Sequence, residues 1–495
     1  MKVETYRLRI GDEWCAASEG CTFDAINPFN GKVWGHLPQA SSNDVDAAVF
    51  AAKQAFKTIW GQSSGLFRAS CLNRLAELLE GEAERMALIE TTDNGKVIRE
   101  TRVQMHFAAR NFRYFAGWAD KLHGETLPLD RSDLFDYTTR VPRGVAALVT
   151  SWNSPIAILA NKLAPALSSG CTVVIKPSEM ASISTLEIAA LCERAGFPPG
   201  VVNVLTGDSR VGAALIGHPS VDIVSFTGGT TTGRAIARQA ADTLKPVTLE
   251  LGGKSANIIF DDANIDNAVS GAIAGIFAAS GQTCIAGSRL LVQRNIYDEV
   301  IRRVCERARR IQLGDPKLDT TEMGPLANES QYTKVIGYID RAIKDGASLQ
   351  LGGNTLTAPG LEKGYFIEPT IFSNVSPESE LSQQEVFGPV LAILPFDSED
   401  DAIEMANGTE FGLVAGVWTT ALARAHRVAE AMDVGSVWVN TYRTNAAQAP
   451  FGGVKASGIG RERSHHALDE YLVVKNVMID LGSEPRDPFV IRTLA

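Results

Sequence analysis

Clusters of cysteine or histidine are missing from this 495-residue chain. Its seven cysteines form no CxxC pair, and its seven histidines show no HExxH or other metal-ligand spacing. A chain of this length does not need disulfides to stabilise its core, and an odd number of cysteines cannot all pair with one another. We therefore expect reduced thiols in a cytoplasmic protein, and we predict no metal site.

The sequence also has no run of Lys and Arg and no long hydrophobic stretch. Lys and Arg total 47 against 57 Asp and Glu, a net charge of −10, whereas a nucleic-acid surface needs clustered positive charge. The most apolar segment, AVSGAIAGIFAAS at 268–280, contains Gly and Ser and is too short to span a bilayer. We predict a buried helix over 265–280 and neither nucleic acid nor membrane as a partner.

Short apolar runs alternating with helical segments make up most of the chain. From Pro142 onward the runs are VAALVT, TVVIK, VVNVL, IVSFT and VTLEL, and after Gly253 the alternation restarts with NIIF, RLLVQ, VLAILPF, GLVAGVW and GSVWVN. Such alternation indicates βαβ units and parallel sheets, because crossover helices cover both faces of the sheet. The length exceeds one core, so we predict two α/β domains.

The segment from about 121 to 140 interrupts the first series of runs. Its polar alternation, LFDYTTRV, predicts a protruding hairpin, with which the tail after Leu472 can pair.

Several strand ends carry polar or glycine-rich segments, where ligands bind in open α/β sheets. SWNSP follows the first run, KPSE the second, GGTTTG the fourth, and Glu250 with two glycines the fifth. The segment FTGGTTTG is either a tight turn or a phosphate site at a helix N-terminus. KPSE is either a solvated turn or a site where a carboxylate accepts hydrogen bonds from a ribose diol.

The segment GQTCIAG at 281–287 places Cys284 among small and polar residues rather than in an apolar run. A thiolate attacks carbonyl carbons, and a nearby carboxylate such as Glu250 can activate water to release a covalent intermediate. The alternatives are that Cys284 is an ordinary buried cysteine and that Glu250 is an ion-pair partner.

Taken together, eight motifs in this order resemble the aldehyde dehydrogenase superfamily of the NAD(P)-dependent, non-phosphorylating and non-acylating kind. They span about 310 residues and read SWN, KPSE, FTGG, LELGGK, FAASGQTC, EVFGP, PFGG and GRE. The resemblance implies an α/β fold with a Rossmann-like cofactor domain (1–120 and 142–252), a second α/β catalytic domain (253–455) and a small β oligomerisation element (121–141 and 470–495). It also implies a homodimer or homotetramer.

The resemblance assigns catalytic roles to four residues. Cys284 matches the nucleophile and Glu250 the general base. Asn153 matches the side-chain donor to the oxyanion, and the small neighbours Gly281, Ala286 and Gly287 let the cysteine backbone approach the reacting carbonyl. Glu462 in GRE matches a second carboxylate that helps to relay protons.

The resemblance further implies NAD as the cofactor, with NADP less favoured because the charge of Glu179 repels a 2′-phosphate. Lys176 and Glu179 match the adenosine ribose contacts, Glu385 the nicotinamide ribose contact, Phe387 a ring beside the nicotinamide, and Gly228 a pyrophosphate contact. Further expected cofactor contacts are Trp152, Ser178, Gly212, Phe226, Gly229 and Leu251. Many relatives have Ser at the position of Gly229, so one hydroxyl contact to phosphate is absent here.

The substrate of this family is a small-molecule aldehyde, and motif spacing predicts which residues line its tunnel. They are Ser154, Ile158, Asn161, Ala278, Thr283, Ile285, Arg443, Thr444, Asn445 and Phe451. Ser154 stands where relatives often have Phe, and small or polar residues widen the tunnel and remove apolar surface. We therefore expect a bulky, partly polar aldehyde, either aromatic or a semialdehyde whose carboxylate contacts Arg443. The alternative is that Arg443 points to solvent or pairs with a neighbouring subunit.

Three other functions compete with this interpretation. A CoA-acylating semialdehyde dehydrogenase of the same superfamily typically lacks the base in the ELGG motif, and Glu250 is present. A non-catalytic structural or binding relative has no need to retain Cys284, Glu250 and Asn153 together. A Cys-His hydrolase needs a histidine in a motif beside the cysteine, and none is seen in the sequence around Cys284.

Overall fold

The computed structural model describes residues 3–356, 358–483, 487 and 489. It contains an eight-stranded sheet whose five central strands are parallel. In spatial order the strands are Gly458–Ile459, Val247–Glu250, Ile223–Thr227, Val145–Val149, Thr172–Lys176, Val202–Val204, Leu8–Ile10 and Glu13–Cys15. The predicted runs from Val145 to Glu250 are thus confirmed as one sheet, to which three antiparallel strands are added at the edges.

The second sheet has seven strands, and all but the first pair are parallel. In spatial order they are Ser348–Leu351, Thr370–Ser373, Val390–Phe396, Arg289–Gln293, Ala256–Ile259, Val414–Trp418 and Ser436–Val439. The predicted α/β fold class is confirmed, and the boundaries drawn between the domains stay a prediction.

Helices cover both faces of each sheet. The α-helices are Ser42–Ala55, Gly65–Gly81, Ala83–Asn94, Ile98–Ala116, Pro155–Ser169, Ile183–Arg194, Ser209–Gly217, Thr230–Ala241, Ile265–Phe277, Tyr297–Ala308, Glu329–Lys344, Glu380–Gln383, Glu399–Asn407, Leu422–Ala431 and His466–Tyr471. A π-helical turn, Phe56–Trp60, extends the first, and 3₁₀ turns lie at Ala278–Gly281 and Arg294–Ile296.

The central strands are hydrophobic throughout because both of their faces are covered. In the strand Val145–Val149, alternate residues enter two different core clusters: Ala146 and Leu148 pack on one side of the sheet, Val145 and Ala147 on the other. The strands of the second sheet divide in the same way, with Leu291 on one face and Leu290 on the other. This is the pattern expected for parallel strands under crossover helices.

The predicted hairpin forms a separate three-stranded antiparallel sheet. The strand Leu134–Pro142 pairs with Thr126–Leu127 on one side and with Leu472–Asp480 on the other. The predicted pairing of the tail with this segment is therefore confirmed, while residues 484–486, 488 and 490–495 of the predicted oligomerisation element lie outside the described residues. Two smaller sheets are also present in the described residues. One has three strands, Glu4–Thr5, Lys32–Pro38 and Thr22–Asn27, and the other has two, Phe411–Gly412 and Val454–Lys455.

Within the described part of the chain, no helix combines the length and apolar character that crossing a membrane requires.

Candidate active site

A cavity of about 720 Å³ collects loops from both large sheets. From the first sheet come the segments after three strands, including Asn153, Gly228 and Glu250. From the second half of the chain come Cys284 and Glu385 with their neighbours. The motifs that are far apart in the sequence therefore meet around one space, at the carboxyl ends of strands where α/β proteins bind ligands.

The backbone that carries Cys284 leaves helical geometry earlier than predicted. The helix ends at Phe277, not at residue 280, because Ala279, Ser280 and Gly281 all adopt positive φ angles of 52°, 53° and 71°. Three successive left-handed residues are unfavourable for non-glycine side chains, so surrounding contacts must hold them. Glu100 accepts a hydrogen bond from the Ala279 N–H at 3.0 Å, and Ser280 donates to the Gly324 carbonyl at 2.8 Å.

Two glycines near Cys284 are required because neighbouring backbone leaves no room for a Cβ. A Cβ at Gly281 would overlap the Gly388 carbonyl, and a Cβ at Gly253 would lie 2.6 Å from the Cys284 carbonyl oxygen. The cysteine loop is therefore pressed between the segment after Glu250 and the segment that carries Glu385. This packing fixes the position of the thiol relative to both carboxylates.

The Cys284 thiol is partly exposed to the cavity and is not disulfide-bonded. Its pKa is raised to about 12 by burial and by the negative charges of Glu385 and Glu250, and the positive charge of Arg463 opposes this rise. The thiol is therefore protonated near neutral pH in this state. Formation of the thiolate, which is the reactive form, needs a base or an added positive charge.

Asn153 connects the first sheet to the cysteine loop. Its Oδ1 accepts a hydrogen bond from the Ser151 hydroxyl at 2.8 Å, and its Nδ2 donates to the Gln282 carbonyl at 3.0 Å. Asn94 donates to the backbone carbonyls of Trp152 and Asn153 and so holds this loop from behind. The Asn153 amide keeps one further N–H, and Asn153 and Cys284 line the same cavity.

Glu250 is buried, and neither of its carboxyl oxygens has a hydrogen-bond partner among the described residues. Burial raises its pKa well above the usual range, and the negative charge of Glu462 raises it further. A buried carboxyl group without a partner is costly for stability alone. It is suited to accepting a proton from a small molecule in the cavity.

Glu462 lines the same cavity but is engaged differently. Its Oε1 accepts a hydrogen bond from Lys162 Nζ at 2.6 Å, and Lys162 also donates to Ser225 at 3.0 Å. Lys162 is completely buried. This lysine, in the helix Pro155–Ser169, lies in no motif singled out in the sequence.

The glycine-rich turn FTGG leads directly into the helix Thr230–Ala241. Gly229 is its N-cap, with no side-chain hydrogen bond to the first turn, and a Cβ at Gly229 would meet nothing within 4 Å. The free amides and open space at a helix N-terminus fit an anionic phosphate. Both Gly228 and Gly229 line the cavity.

Lys176 and Glu179 form an ion pair at the end of their strand, with Lys176 Nζ 3.1 Å from Glu179 Oε2. Lys176 is nearly buried, whereas Glu179 is 37% exposed. The Ser178 hydroxyl accepts a hydrogen bond from the Met180 N–H at 3.3 Å. This pair and Ser178 do not line the cavity around Cys284.

Two aromatic rings and a carboxylate border the cavity near the cysteine loop. Trp152 and Phe387 make an edge-to-face contact with ring centroids 5.3 Å apart. Glu385 Oε1 accepts a hydrogen bond from the Gly253 N–H at 2.9 Å, and burial raises the pKa of Glu385. Of the other predicted cofactor contacts, Leu251 lines the cavity, Phe226 lies beneath Gly228, and Gly212 is buried in the helix Ser209–Gly217.

Nine of the ten predicted tunnel residues line the cavity. They are Ser154, Ile158, Asn161, Ala278, Thr283, Ile285, Arg443, Asn445 and Phe451. Thr444 does not: its hydroxyl bonds Thr441 at 2.8 Å and its carbonyl accepts from Trp438. Arg443 donates to the Ala274 carbonyl at 3.1 Å, so one of its guanidinium N–H groups is already hydrogen-bonded.

The sequence motifs missed one whole wall of the cavity. The helix Ile98–Ala116 contributes Arg99, Glu100, Val103, Gln104 and Phe107. These residues follow ordinary helical spacing in a segment without a motif, so only the tertiary structure shows which face points toward Cys284. Arg463, directly after the GRE motif, was also missed.

Lys96 lies behind this wall, and its side chain is buried. Its Nζ donates to the Ser154 hydroxyl at 2.5 Å and to Gln104 Oε1 at 3.3 Å. Gln104 Nε2 also donates to Ser154 at 3.3 Å. Burial lowers the pKa of Lys96, and the carboxylates of Glu90 and Glu100 oppose this effect.

Comparison with known proteins identifies the family. The pattern of the aldehyde dehydrogenase family matches residues 14–477. The chain is 45% identical to (Z)-2-((N-methylformamido)methylene)-5-hydroxybutyrolactone dehydrogenase of Acinetobacter baylyi, covering 95% of this chain and 96% of that protein. It is 43% identical to human retinal dehydrogenase 2, covering 97% of this chain and 93% of that protein.

A solved structure of betaine aldehyde dehydrogenase from Staphylococcus aureus, in complex with NAD+, is similar over almost its full length. The TM-score is 0.96 at 38% identity, with 98% of this chain and 97% of that chain covered. The predicted family, fold, enzyme class and cofactor are thus confirmed. The chain belongs to the aldehyde dehydrogenase family, as an NAD-dependent oxidoreductase.

Proposed function

We propose that the chain oxidises a bulky, partly polar aldehyde to its carboxylic acid through a covalent bond to Cys284. The observation that carries the proposal is the cavity itself, which contains Cys284, Asn153 and the unpaired carboxyl group of Glu250 together. The Cys284 thiol releases its proton to solvent in the open cavity, and the thiolate attacks the carbonyl carbon to form a tetrahedral oxyanion. The free N–H of Asn153 and the Cys284 backbone N–H are the donors that stabilise it.

The residues of the chain fit NAD as cofactor. The helix N-terminus at Gly229 offers free amides for its pyrophosphate, and the neighbouring Gly228 N–H donates to the Glu250 carbonyl at 3.0 Å. Lys176 and Glu179 offer contacts for its adenosine ribose, and Glu385 offers an acceptor for its nicotinamide ribose. Phe387, Trp152, Ser178, Phe226 and Leu251 complete the proposed site. NAD, when bound, accepts the hydride of the aldehyde carbon. We expect NADP to be used less well because the carboxylate of Glu179 repels a 2′-phosphate.

Glu250 acts in the second half of the proposed reaction. Loss of the hydride leaves a thioester on Cys284, and water must attack this carbonyl carbon. The ionised form of Glu250 takes a proton from that water, and the C–S bond breaks to release the acid and return Cys284. The raised pKa makes this carboxylate a stronger base, and neither of its oxygens has a hydrogen-bond partner among the described residues. Lys162 and Glu462 then offer a buried route for the proton away from Glu250.

The width and polarity of the cavity support a bulky, partly polar substrate. Ser154, Asn161, Ala278 and Asn445 bring small or polar side chains to its wall instead of aromatic rings. The names of similar proteins agree with this interpretation, since retinal and betaine aldehyde are both larger than a short aliphatic aldehyde. An aromatic aldehyde or a semialdehyde fits these features.

The test is the production of NADH from NAD with a panel of aldehydes, with and without coenzyme A. We expect benzaldehydes and semialdehydes to give higher kcat/KM than acetaldehyde, with no need for coenzyme A. Strict dependence on coenzyme A would support an acylating enzyme instead. If acetaldehyde gave the highest kcat/KM, the proposed substrate class would be wrong, and if no aldehyde were oxidised, the proposed reaction would be wrong.

A further inference from the structure

Arg463 has an unusual environment for a charged side chain. It lines the cavity with Cys284, and its guanidinium carbon lies 5.0 Å from the ring centre of Phe107 and 4.7 Å from that of Phe451. Phe451 belongs to a small apolar cluster against which Cys284 packs. The guanidinium and the nucleophile therefore lie near the same apolar cluster of the cavity.

The contacts of Arg463 fix its orientation without neutralising its charge. Nη1 donates to Asn445 Oδ1 at 2.7 Å, and Nε is buried without a hydrogen-bond partner among the described residues. No carboxylate of the described chain lies within 4 Å of it. Other arginines, such as Arg102, Arg113 and Arg427, do form ion pairs with carboxylates. Its backbone also has a positive φ of 59°, which an arginine rarely adopts.

Three acidic groups of the cavity are already hydrogen-bonded. Glu462 is paired with Lys162, Glu385 accepts a backbone N–H, and Glu100 accepts the Ala279 N–H. The pKa of Glu250 is raised by burial, and the charges of Glu462 and Glu250 act on Arg463 only from beyond ion-pair distance. Arg463 is half-buried and has one neutral hydrogen-bond partner, so N–H groups of its guanidinium remain for a carboxylate, the planar acceptor that matches them.

We propose that Arg463, rather than Arg443, anchors the substrate by binding a carboxylate at the end of the aldehyde away from the reacting carbon. The contacts with the Phe107 and Phe451 rings use the faces of the guanidinium, so its N–H groups at the edge are the ones that bind an anion. Arg443 is less suited because it already donates to the Ala274 carbonyl and does not stack on an aromatic ring among the described residues. The inference deepens the proposed function and rests on it, since it names a carboxylate-bearing aldehyde as the substrate class.

The test compares pairs of aldehydes that differ in charge but little in shape. One pair is 4-carboxybenzaldehyde and 4-isopropylbenzaldehyde, and the other is succinic semialdehyde and 4-methylpentanal. The measured quantity is the ratio of kcat/KM for the charged member to kcat/KM for the neutral one. Because both values come from one enzyme preparation, the ratio does not depend on how much of a variant is folded.

We expect Arg463→Met to lower this ratio between about 10-fold and 100-fold, because one or two charge-assisted hydrogen bonds are lost. Arg463→Lys keeps the charge but not the planar arrangement, and its ratio should be intermediate. Arg443→Met is the matched control, an arginine of the same cavity, and should change the ratio less than about threefold.

Three results would overturn the inference. The first is an unchanged ratio in Arg463→Met, including a case in which both members of a pair lose activity equally, since Arg463 would then act on Cys284 or Glu250 instead. The second is a larger effect of Arg443→Met than of Arg463→Met. The third is a wild-type enzyme that oxidises the neutral members well and the charged members poorly, which would leave aldehyde oxidation intact and remove only the carboxylate anchor.

Discussion

The two ends of the cavity differ in how they present charge. At the proposed cofactor end, the helix that begins after Gly229 has no side-chain cap, and outside the cavity the charged pair Lys176 and Glu179 is mutually neutralised and partly exposed. At the substrate end, Glu250 is buried, Arg463 has a buried Nε, and neither group has an ion-pair partner within the described chain. A free backbone amide costs little near water, whereas a buried unpaired charge requires the rest of the fold to hold it in place.

One helix supports both ends. In Ala83–Asn94, Glu90 Oε2 accepts the Ile156 N–H at the start of the helix behind Asn153, at 3.1 Å. Asp93 Oδ2 accepts the Ile183 N–H at the start of the helix after KPSE, at 3.0 Å. The two ends are therefore fixed to each other by acids one turn apart, and each can be disturbed separately.

The largest expected effect is at the substrate end. Cys284→Ala should lower kcat/KM for aldehydes at least about 1,000-fold, because no covalent intermediate forms. NAD affinity should be unchanged, since the thiol contributes little to the proposed cofactor contacts. The measurements are steady-state NADH production and quenching of protein fluorescence by NAD. Cys21→Ala, at an exposed cysteine outside the cavity, is the control, and residual turnover in Cys284→Ala near the wild-type level would contradict the role of nucleophile.

Glu250→Gln should separate the two halves of the reaction. The thioester still forms but is hydrolysed slowly, so a stopped-flow experiment should show one NADH per active site followed by turnover reduced at least about 100-fold. Glu430→Gln replaces an exposed glutamate and should behave as wild type. Full steady-state turnover in Glu250→Gln would exclude Glu250 as the base.

At the cofactor end the effect should be smaller. Glu179→Ala removes the charge that repels a 2′-phosphate and frees Lys176 from its ion pair. The ratio of kcat/KM for NAD to that for NADP should fall about 10-fold. Met180→Ala replaces the exposed neighbouring side chain and serves as the control for local disturbance of the loop. An unchanged ratio in Glu179→Ala would show that another residue sets the preference.

The smallest effect concerns the support of the cofactor end by Asp93. Burial raises the pKa of Asp93 to about 8, above the value of 3.8 for the free side chain. The folded state therefore keeps a proton that the unfolded state releases, and the stabilising contribution of the neutral acid is lost as pH rises from about 4 to about 8. Asp93→Asn stays neutral and keeps an acceptor for the Ile183 N–H.

We therefore expect the Tm of wild type to fall by a few degrees more than that of Asp93→Asn between about pH 5 and about pH 8. Glu90→Gln tests the substrate end in the same way, since burial also raises the pKa of Glu90. Parallel Tm curves for wild type and Asp93→Asn would show that Asp93 is ionised in the folded protein at both pH values.

The motifs predicted the proposed cofactor end better than the substrate wall. Gly228, Gly229, Lys176 and Glu179 follow single strands within a few residues, so local sequence places them at a sheet edge. Arg463 was missed because its role depends on Phe107, which is far away in the sequence. Helix spacing likewise predicted a helix up to residue 280, but contacts with Glu100 and Gly324 stop it at Phe277.

The sequence by itself determined the α/β fold, the order of the strands in the chain and the residues with reactive chemistry. Alternating apolar runs and helices form parallel sheets because only crossover helices bury both faces. The tertiary structure alone decided which charges are left unpaired around Cys284. Burial and the absence of a partner depend on side chains from distant segments, such as Phe107, Asn445 and Lys162, and no local pattern encodes their distances.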